Sequence, residues 1–577
     1  MKQSFLFFIL SLMKRRPWHY VGGIVSVIIL DAIDMAPALI VKHITNEVQH
    51  RPAELDVVKF ALLLVAAYFG ISILRLTWRF CLMLPSRTLE KELRDEAYQK
   101  LLHANYNQVA QLKIGDVIST LSQDVSNIRM FMGPGVLIFF DSLAYVFFIP
   151  ATLFYILGTA AFYVLAPFVV LALVVYRVQK PIEAGYQDIS HQLGDLSQYI
   201  YEDAAGSRFF RAEGLLQIRR HRYQLLLSKL LGRQLGITKW ELGLDATLQS
   251  VIQTSYLTVL TLAFMGHGEM SQGLGVLTVS IQLLDKLLWP LMSFSYLMNL
   301  FQQAKAGSYR YQDITSLSQK STGNIALDGM VNRIVVQNLS ARSLDGKTLL
   351  SQVNFEANKG EHIALIGKVG SGKSLMLQIL AGMWEIDFLS FTELSFNGHS
   401  FHQLKRQSLW NQLSYMPQTP QIFNRSLAGN ISPIQFIKPQ EIQVSLERAD
   451  LSQDVAGFEQ GLNTVIGEKG MNLSGGQKSR TLIARSFHAQ AGLYLWDDSM
   501  SALDSVTERK ILENLRQLHH DAILISATHR LSSLKYFDRI AIFHEGSIVA
   551  FGQFNEIKSH PVYLEMESLQ QERDAWT

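Results

Sequence analysis

Gly367-Lys368-Val369-Gly370-Ser371-Gly372-Lys373-Ser374 is the stretch on which the reading of this chain turns. It follows the strand-like Ala364-Leu365-Ile366 and leads into the helix-like residues 375–380. That is a complete P-loop, GxxxxGK[ST], with a strand and a helix on the correct sides. Glycines at Gly367, Gly370 and Gly372 let backbone N–H groups curl around phosphate oxygens, and the helix N-terminus adds positive potential. Ser371 adds a further loop amide. Lys373 is placed to reach the β- and γ-phosphates, and the Ser374 hydroxyl to ligate Mg²⁺.

Two further signals lie downstream. Leu493-Tyr494-Leu495-Trp496-Asp497-Asp498 is an apolar run ending in two carboxylates. A buried strand that delivers Asp497 towards a metal is what P-loop nucleotide hydrolysis needs. Leu473-Ser474-Gly475-Gly476-Gln477 precedes a helix-like run from Lys478. Its exposed amides, hydroxyl and helix dipole make a second phosphate site. Around these motifs, apolar stretches alternate with helical patterns to Thr577, an α/β unit of about 255 residues with a largely parallel sheet. A polar, linker-like stretch at 316–323 sets it off from what comes before.

The first half differs in composition. The whole chain has 577 residues, of which only 18% are charged, against about 25% in soluble proteins, and its mean hydropathy is +0.14. A disordered or purely soluble chain is thereby disfavoured. Lys and Arg number 52 against 49 Asp and Glu, a net +3; nothing in that balance implies nucleic acid or another large polyanion. The single cysteine, Cys81, forms no internal disulfide and no cysteine-based zinc site.

Residues 134–176 contain one charged side chain, Asp141. One span takes about 20 residues, so this stretch holds two helices turning near Gly158. Further spans are expected at 18–41, 57–84, 244–265 and 274–300, six in all. Helices are required because lipid offers no partners to open backbone. Lys2 and the apolar residues 5–13 imitate a leader. Lys14-Arg15-Arg16 follows at once without a small-residue cleavage site, which favours an interfacial helix. Arg87, Lys91, Arg94, Lys100, Lys113 and Arg129 follow span two, and ten Lys and Arg between Arg177 and Lys239 follow span four, whereas 266–273 has none. The basic segments and the N-terminus therefore face the cytosol. Their length and periodicity point to helices continuing well beyond the bilayer.

Asp31, Asp34, Arg75, Arg79, Asp141, Asp245, Asp285 and Lys286 lie in or near the apolar stretches. Charges there are costly and face a cavity or each other, unless they snorkel near the interface. Asp285 and Lys286, just before Pro290, are the pair expected to line a pathway. Phe139, Phe140, Tyr145, Phe147 and Phe148 would contact an apolar cargo or face lipid, the latter favoured.

In this order the motifs resemble those of an ABC transporter of the exporter type, over nearly the whole chain. The P-loop, the LSGGQ run and the strand ending in Asp497 are joined by Gln418 in Tyr415-Met416-Pro417-Gln418. Asp504 in Ser501-Ala502-Leu503-Asp504 and His529 in Ser526-Ala527-Thr528-His529-Arg530 complete the set. Gly133-Pro134-Gly135, Trp289-Pro290-Leu291 and Ala304-Lys305-Ala306-Gly307-Ser308 are similar to bacterial multidrug-resistance-like half-transporters. The resemblance implies a membrane α-helical domain at 1–316 and an α/β P-loop nucleotide-binding domain at 317–577. It implies ATP and Mg²⁺ as cofactors, with Ser374, Gln418 and Asp497 at the metal and Asp498, His529 and Gln418 catalytic. Two chains would close head to tail, with the signature Ser474, Gly475, Gly476 and Gln477 of one completing the site of the other, Ser474 and Gly476 touching its γ-phosphate; Asp504 is a further nucleotide-binding residue. Coupling contacts are expected near 108–114 and 201–211. An amphipathic small molecule would be exported through the inner (plasma) membrane, with the nucleotide domain in the cytoplasm. No peptidase-like segment precedes the spans, which points away from peptide-processing exporters.

Two departures stand out. The residue after Asp497, usually Glu in this family, is Asp498, one methylene shorter. Such an Asp marks the degenerate half of a heterodimer in this family, so a partner half-transporter carrying Glu is favoured; a slow homodimer and a regulatory subunit that mainly binds ATP are the alternatives. The aromatic that stacks on adenine is replaced by Ser343, in Leu339-Ser340-Ala341-Arg342-Ser343. Arg342 stacks by its guanidinium plane or is a solvated surface residue, the latter favoured.

Overall fold

The computed structural model describes every residue except 1–2, 51–55, 106–107, 110, 266–273, 318–322, 344, 434–438, 468–469, 471, 519 and 577. The segment 266–273 between the spans expected at 244–265 and 274–300, and most of the 316–323 linker, therefore lie outside the described residues. The chain divides into two compact units, Met1–Gln99 with Ile114–Ser316, and Lys100–Lys113 with Leu317–Thr577.

The described residues of the first unit form helices joined by short turns. Its leader-like stretch is a packed helix, Phe5–Lys14, with Phe5, Phe8 and Leu12 buried; Phe5 meets Phe301 edge to face at 5.0 Å. The first apolar run breaks at Asp34-Met35 between Pro17–Ile33 and Ala36–His50. Pro37 supplies the cause, since it has no N–H and its ring crowds the carbonyl four residues back. Pro290 acts likewise behind the break at Leu287, between Leu274–Lys286 and Leu288–Thr315.

Among the described residues, four helical stretches are long and apolar enough to cross a membrane: Pro17–Val48, Val57–His103, Ile114–Ala205 and Leu274–Thr315. The third contains two long helices, Val136–Leu157 and Ala161–Ala205, joined at Gly158 with φ +56°. The expected span at 244–265 lies on a continuous helix, Leu216–Phe264, that is less apolar than these four, because Gln249, Gln253, Thr254 and Thr258 interrupt it. At 1.5 Å per residue that helix runs about 73 Å, more than twice the roughly 30 Å hydrocarbon layer, and it packs along Ala161–Ala205. Val57–Trp78 fully buries only Phe60 and Ile71; Leu62, Val65 and Phe69 are among the apolar side chains it leaves exposed, as suits a helix with one lipid-facing side. Elsewhere the helices touch backbone to backbone. A Cβ on Gly307 would stand 3.2 Å from the Asp124 backbone, and the buried Asp124 carboxylate takes two 2.6 Å hydrogen bonds from Arg310.

The second unit carries two sheets. The strands are β1 (Arg333–Arg342), β2 (Thr348–Asn358), β3 (His362–Gly367), β4 (Leu389–Ser390), β5 (Glu393–Phe396), β6 (His399–Ser400), β7 (Leu413–Met416), β8 (Leu493–Asp497), β9 (Ile523–Ala527), β10 (Arg539–His544) and β11 (Ser547–Gly552). One sheet has the order β11-β10-β3-β9-β8-β7, parallel except for β10 with β11. The other is antiparallel, β2-β1-β5-β6 with β4 on β1. β3, β8 and β9 are buried along their whole length, as parallel strands covered on both faces must be. Their C-terminal ends converge at one edge of the sheet, where ligands bind in open α/β folds.

Candidate functional site

β3 ends at Gly367 and the chain loops into the helix Lys373–Leu380. Gly372, just before that helix, has φ +105°, and a Cβ there would come within 2.5 Å of Leu350 Cδ2. Only glycine lets the loop lie this close to β2. The Lys373 ammonium turns back into the loop, donating to Gly367 O at 2.7 Å, Lys368 O at 2.9 Å and Ser371 Oγ at 3.4 Å. Burial lowers its pKa, while the Asp497 and Asp498 carboxylates oppose that shift.

β8 sits two strands away from β3 and delivers Asp497 to the loop. Ser374 Oγ donates to Asp497 Oδ1 at 2.8 Å. Burial raises the Asp497 pKa, and that hydrogen bond pulls it back. Asp498 has φ +47°, a left-handed conformation that Asp tolerates better than most side chains. Its N–H donates to Ala527 O at 3.0 Å, which fixes the turn. Burial raises the Asp498 pKa, against the charges of His529, Lys373 and Arg530 and a Gln418 hydrogen bond. His529 is held below its ordinary value by burial and then by Lys373, with both aspartates opposing.

These groups surround a cavity of about 430 Å³. Of the expected site residues, Gly370, Ser371, Gly372, Lys373, Ser374, Gln418, Asp497, Asp498 and His529 line it. Leu349, Val369, Leu375, Gln378, Trp384 and Ala527 line it as well, and sequence reasoning missed them. The only signal for Leu349 and Trp384 was their apolar character, which most residues of a core share. Ser474, Gly475, Gly476 and Gln477 do not line the cavity. Ser474 caps the helix Gly475–His488: its Oγ accepts from Gln477 N at 3.2 Å and its N–H donates to Gln477 Oε1 at 3.0 Å. Ser474 and Gly475 are exposed at the surface. Asp504 is likewise outside the cavity, accepting from the N–H groups of Val506 and Thr507 at 3.0 and 2.9 Å. Arg342 is exposed, and Ser343 closes a turn by donating its N–H to Lys347 O at 2.8 Å.

The second unit also includes residues 100–113, close to the expected coupling contact at 108–114. Asn105 is buried, and its hydrogen bond to Glu385 offsets the upward push of burial on that carboxyl. Glu385 follows Trp384 of the cavity wall. The other expected coupling segment, 201–211, ends in the short helix Ser207–Ala212, with Tyr201 and Phe209 exposed.

The donor set fits a metal-bound nucleotide. A hydroxyl, one buried carboxylate and an amide face a loop of backbone N–H groups. Among the described residues no group of three or more His, Cys, Asp or Glu forms a closed metal cage. Mg²⁺ characteristically takes one or two carboxylates together with substrate phosphates and water.

Comparison with known proteins gives a consistent answer. Residues 350–501 match the family described as ABC transporter, and residues 20–291 the family described as ABC transporter transmembrane region. The chain is 27% identical over 565 residues to the multidrug resistance-like ATP-binding protein MdlA of Buchnera aphidicola subsp. Baizongia pistaciae, covering 94% of this chain and 96% of that one. Against MdlA of Escherichia coli it is 25% identical, covering 95% and 93%. The ATP-dependent lipid A-core flippase of Pseudoalteromonas translucida is 26% identical, covering 86% of each chain. In fold, the chain is similar to a bacterial Atm1-family ABC exporter with ATP bound, at a TM-score of 0.77 and 17% identity over 97% of this chain and 99% of that one.

Proposed function

Because this chain belongs to the ABC transporters, with a transmembrane region and an ATP-binding domain, we propose that it is a half-transporter exporting amphipathic small molecules, drug-like or lipid-like, at the expense of ATP. Relatives named as multidrug resistance-like proteins and lipid A-core flippases support the direction and the substrate class. The proposal includes six spans, with Leu216–Phe264 contributing the fifth, residence in the plasma (inner) membrane, and a cytoplasmic nucleotide domain at 317–577.

One observation carries this reading: Ser474 and Gly475 are exposed, and the Ser474–Gln477 signature stands outside the cavity that gathers the P-loop, Asp497, Asp498, Gln418 and His529. A phosphate site built from both parts needs two chains. In that assembly Ser474, Gly475, Gly476, Gln477 and Asp504 of one chain face the cavity of the other.

Bound ATP with Mg²⁺ supplies the scissile phosphoanhydride and neutralises its charge. Within the cavity, Lys373 and the amides of Gly370, Ser371 and Gly372 orient phosphate oxygens. Ser374, Asp497 and Gln418 offer oxygen ligands to the metal. Asp498 and the neutral His529 orient and deprotonate water, as a catalytic carboxylate and its neighbour do. A carboxylate one methylene short sits about 1 Å from the longer residue's place, a displacement worth ~10²-fold in rate. For that reason we favour a heterodimer with a chain bearing Glu at this position. The same Asp498 supports the second reading, a regulatory subunit that binds ATP and hydrolyses little.

Inside-out vesicles from cells expressing the chain test the choice. ATP-dependent uptake of an amphipathic dye, abolished by Lys373→Ala, is the expected result. ATP binding and hydrolysis without flux of any amphiphile would favour regulation.

A further inference from the structure

Arg485 is a half-buried cation that does not line the nucleotide cavity. It lies near the end of the helix Gly475–His488. Its Nε donates to Asn430 O at 2.6 Å, its Nη2 to Asn430 Oδ1 at 3.2 Å and its Nη1 to Gln421 O at 2.9 Å. The guanidinium carbon stands 5.1 Å from the centre of the Phe423 ring. All three acceptors are uncharged amide oxygens. Burial lowers the Arg485 pKa to about 10, so the group keeps its charge at neutral pH. A charge withdrawn from water is costly unless its donors are used, and here they are used on a single loop.

Asn430 extends the grip. It is fully buried; its Oδ1 accepts from Phe423 N at 2.8 Å and its Nδ2 donates to Phe423 O at 2.9 Å. The loop held in this way starts at Gln418, in Met416-Pro417-Gln418-Thr419-Pro420-Gln421. Each proline fixes its own φ and confines the residue before it, Met416 or Thr419, to extended backbone. With so few soft dihedrals, Gln418 sits where the two ends of this segment are held. One end is Met416, which closes β7 and accepts from Ser499 Oγ at 3.3 Å. The other is Gln421, held by Arg485.

The next residue of the same helix ties it to the sheet. Ser486 Oγ lies 2.7 Å from Ser414 Oγ of β7 and accepts from Trp496 Nε1 of β8 at 3.0 Å. Trp496 immediately precedes Asp497. One helical turn, Arg485-Ser486, therefore sets the loop of Gln418 against the strand of Asp497.

We infer that Arg485 is a positioning residue for the metal side of the nucleotide site: by holding Gln421 directly and Phe423 through Asn430, it keeps the Gln418 amide on the cavity wall with Asp497. The inference rests on the ATP-binding reading of that cavity and adds to it a residue that touches neither nucleotide nor metal.

The test uses the full-length protein in lipid nanodiscs and a fluorescent ATP analogue, titrated with and without Mg²⁺. Arg485→Ala should cut the Mg²⁺-dependent gain in affinity about tenfold, in line with the loss of hydrogen bonds from a charged donor. The Mg²⁺-free affinity, which the P-loop sets, should stay within about twofold. Gln418→Ala should show the same loss as Arg485→Ala, and the double variant no more than either alone, because residues acting through one another are not additive. Arg485→Lys keeps the charge without the fork; it should lose about threefold and takes the place of the Ala variant in the cycle if that variant does not fold. An unchanged Mg²⁺ dependence in every Arg485 variant that folds would overturn the inference. So would an equal loss of the Mg²⁺-free affinity, or losses that add in the double variant. Absence of Mg²⁺-dependent binding in the wild type would remove the ATP-binding reading itself, and the inference with it.

Discussion

Ser374 Oγ donates to Asp497 Oδ1 at 2.8 Å, so the first helical turn after the P-loop and the end of β8 are joined 123 residues apart in sequence. Both atoms are the oxygens that would be offered to one metal ion. Replacing Asp497 by Asn keeps the size and removes the charge that a divalent cation needs. ATP turnover should then fall about 100-fold or more, because a metal contributes several kcal/mol of charge stabilisation in such reactions. Ser374→Ala should cost less, roughly tenfold. Binding of a fluorescent ATP analogue with and without Mg²⁺ checks the assignment: the Mg²⁺-dependent part of the affinity should vanish in Asp497→Asn and the remainder persist.

Asp498 is held at φ +47° by its N–H bond to Ala527 O and stands on the cavity wall beside His529. Its reach, not its placement, is what differs from a glutamate. The purified chain alone should therefore hydrolyse ATP slowly, and Asp498→Glu should raise turnover by tenfold or more, within the ~10²-fold that a displacement of about 1 Å costs. Robust turnover of the wild-type chain alone, lost in Asp498→Asn, would sink the heterodimer reading.

His362 opens β3 with 2% exposure and an unpartnered Nδ1. Burial first, then the nearby Arg516 charge, pushes its pKa down to about 4, with Asp538 opposing. The folded value lies below the unfolded one, so the unfolded chain takes the proton first as pH falls. Stability is full above about pH 6.5 and declines from there towards pH 4. By pH 5 the loss should reach about 2 kcal/mol, or roughly 5 °C in the Tm of the nucleotide-domain transition. His362→Gln should flatten the curve between pH 6.5 and 5. An unchanged slope in that variant would assign the effect to other groups.

The features legible in the sequence are those that depend on backbone geometry. Glycine spacing at 367–374 dictates a loop, an apolar run ending in Asp497 dictates a central strand, and Ser474 with Gln477 dictates a helix start; each is local. Pairing was not legible. Asp285 and Lys286 look like one unit, yet neighbours at i and i+1 on a helix point in different directions. Lys286 meets Asp34, 252 residues away, and Asp285 takes the Tyr256 hydroxyl. Tyr145, expected to face lipid, is drawn to Asp34 as well, while Phe139 and Phe147 are exposed on the helix surface. Leu349 and Trp384 reach the cavity from β2 and from the turn after the P-loop helix, a convergence that only the folded sheet creates.

The base-binding side of the cavity yields the last prediction. Ser343 spends its N–H on Lys347 O, Arg342 is solvent-exposed, and the cavity wall nearest this hairpin is the aliphatic Leu349. An aromatic platform contributes ~1–3 kcal/mol per stacked base, and no such ring stands in the 339–343 segment. Phosphate contacts through Lys373 and the loop amides do not distinguish one purine from another. ATP and GTP should therefore bind with affinities within about threefold of each other, and Arg342→Ala should leave that ratio unchanged. Ser343→Tyr should tighten both by about tenfold, the low end of the stacking range. Competition between the two nucleotides for a fluorescent analogue measures all three. A strong ATP preference in the wild type that disappears in Arg342→Ala would show instead that the guanidinium plane does the stacking.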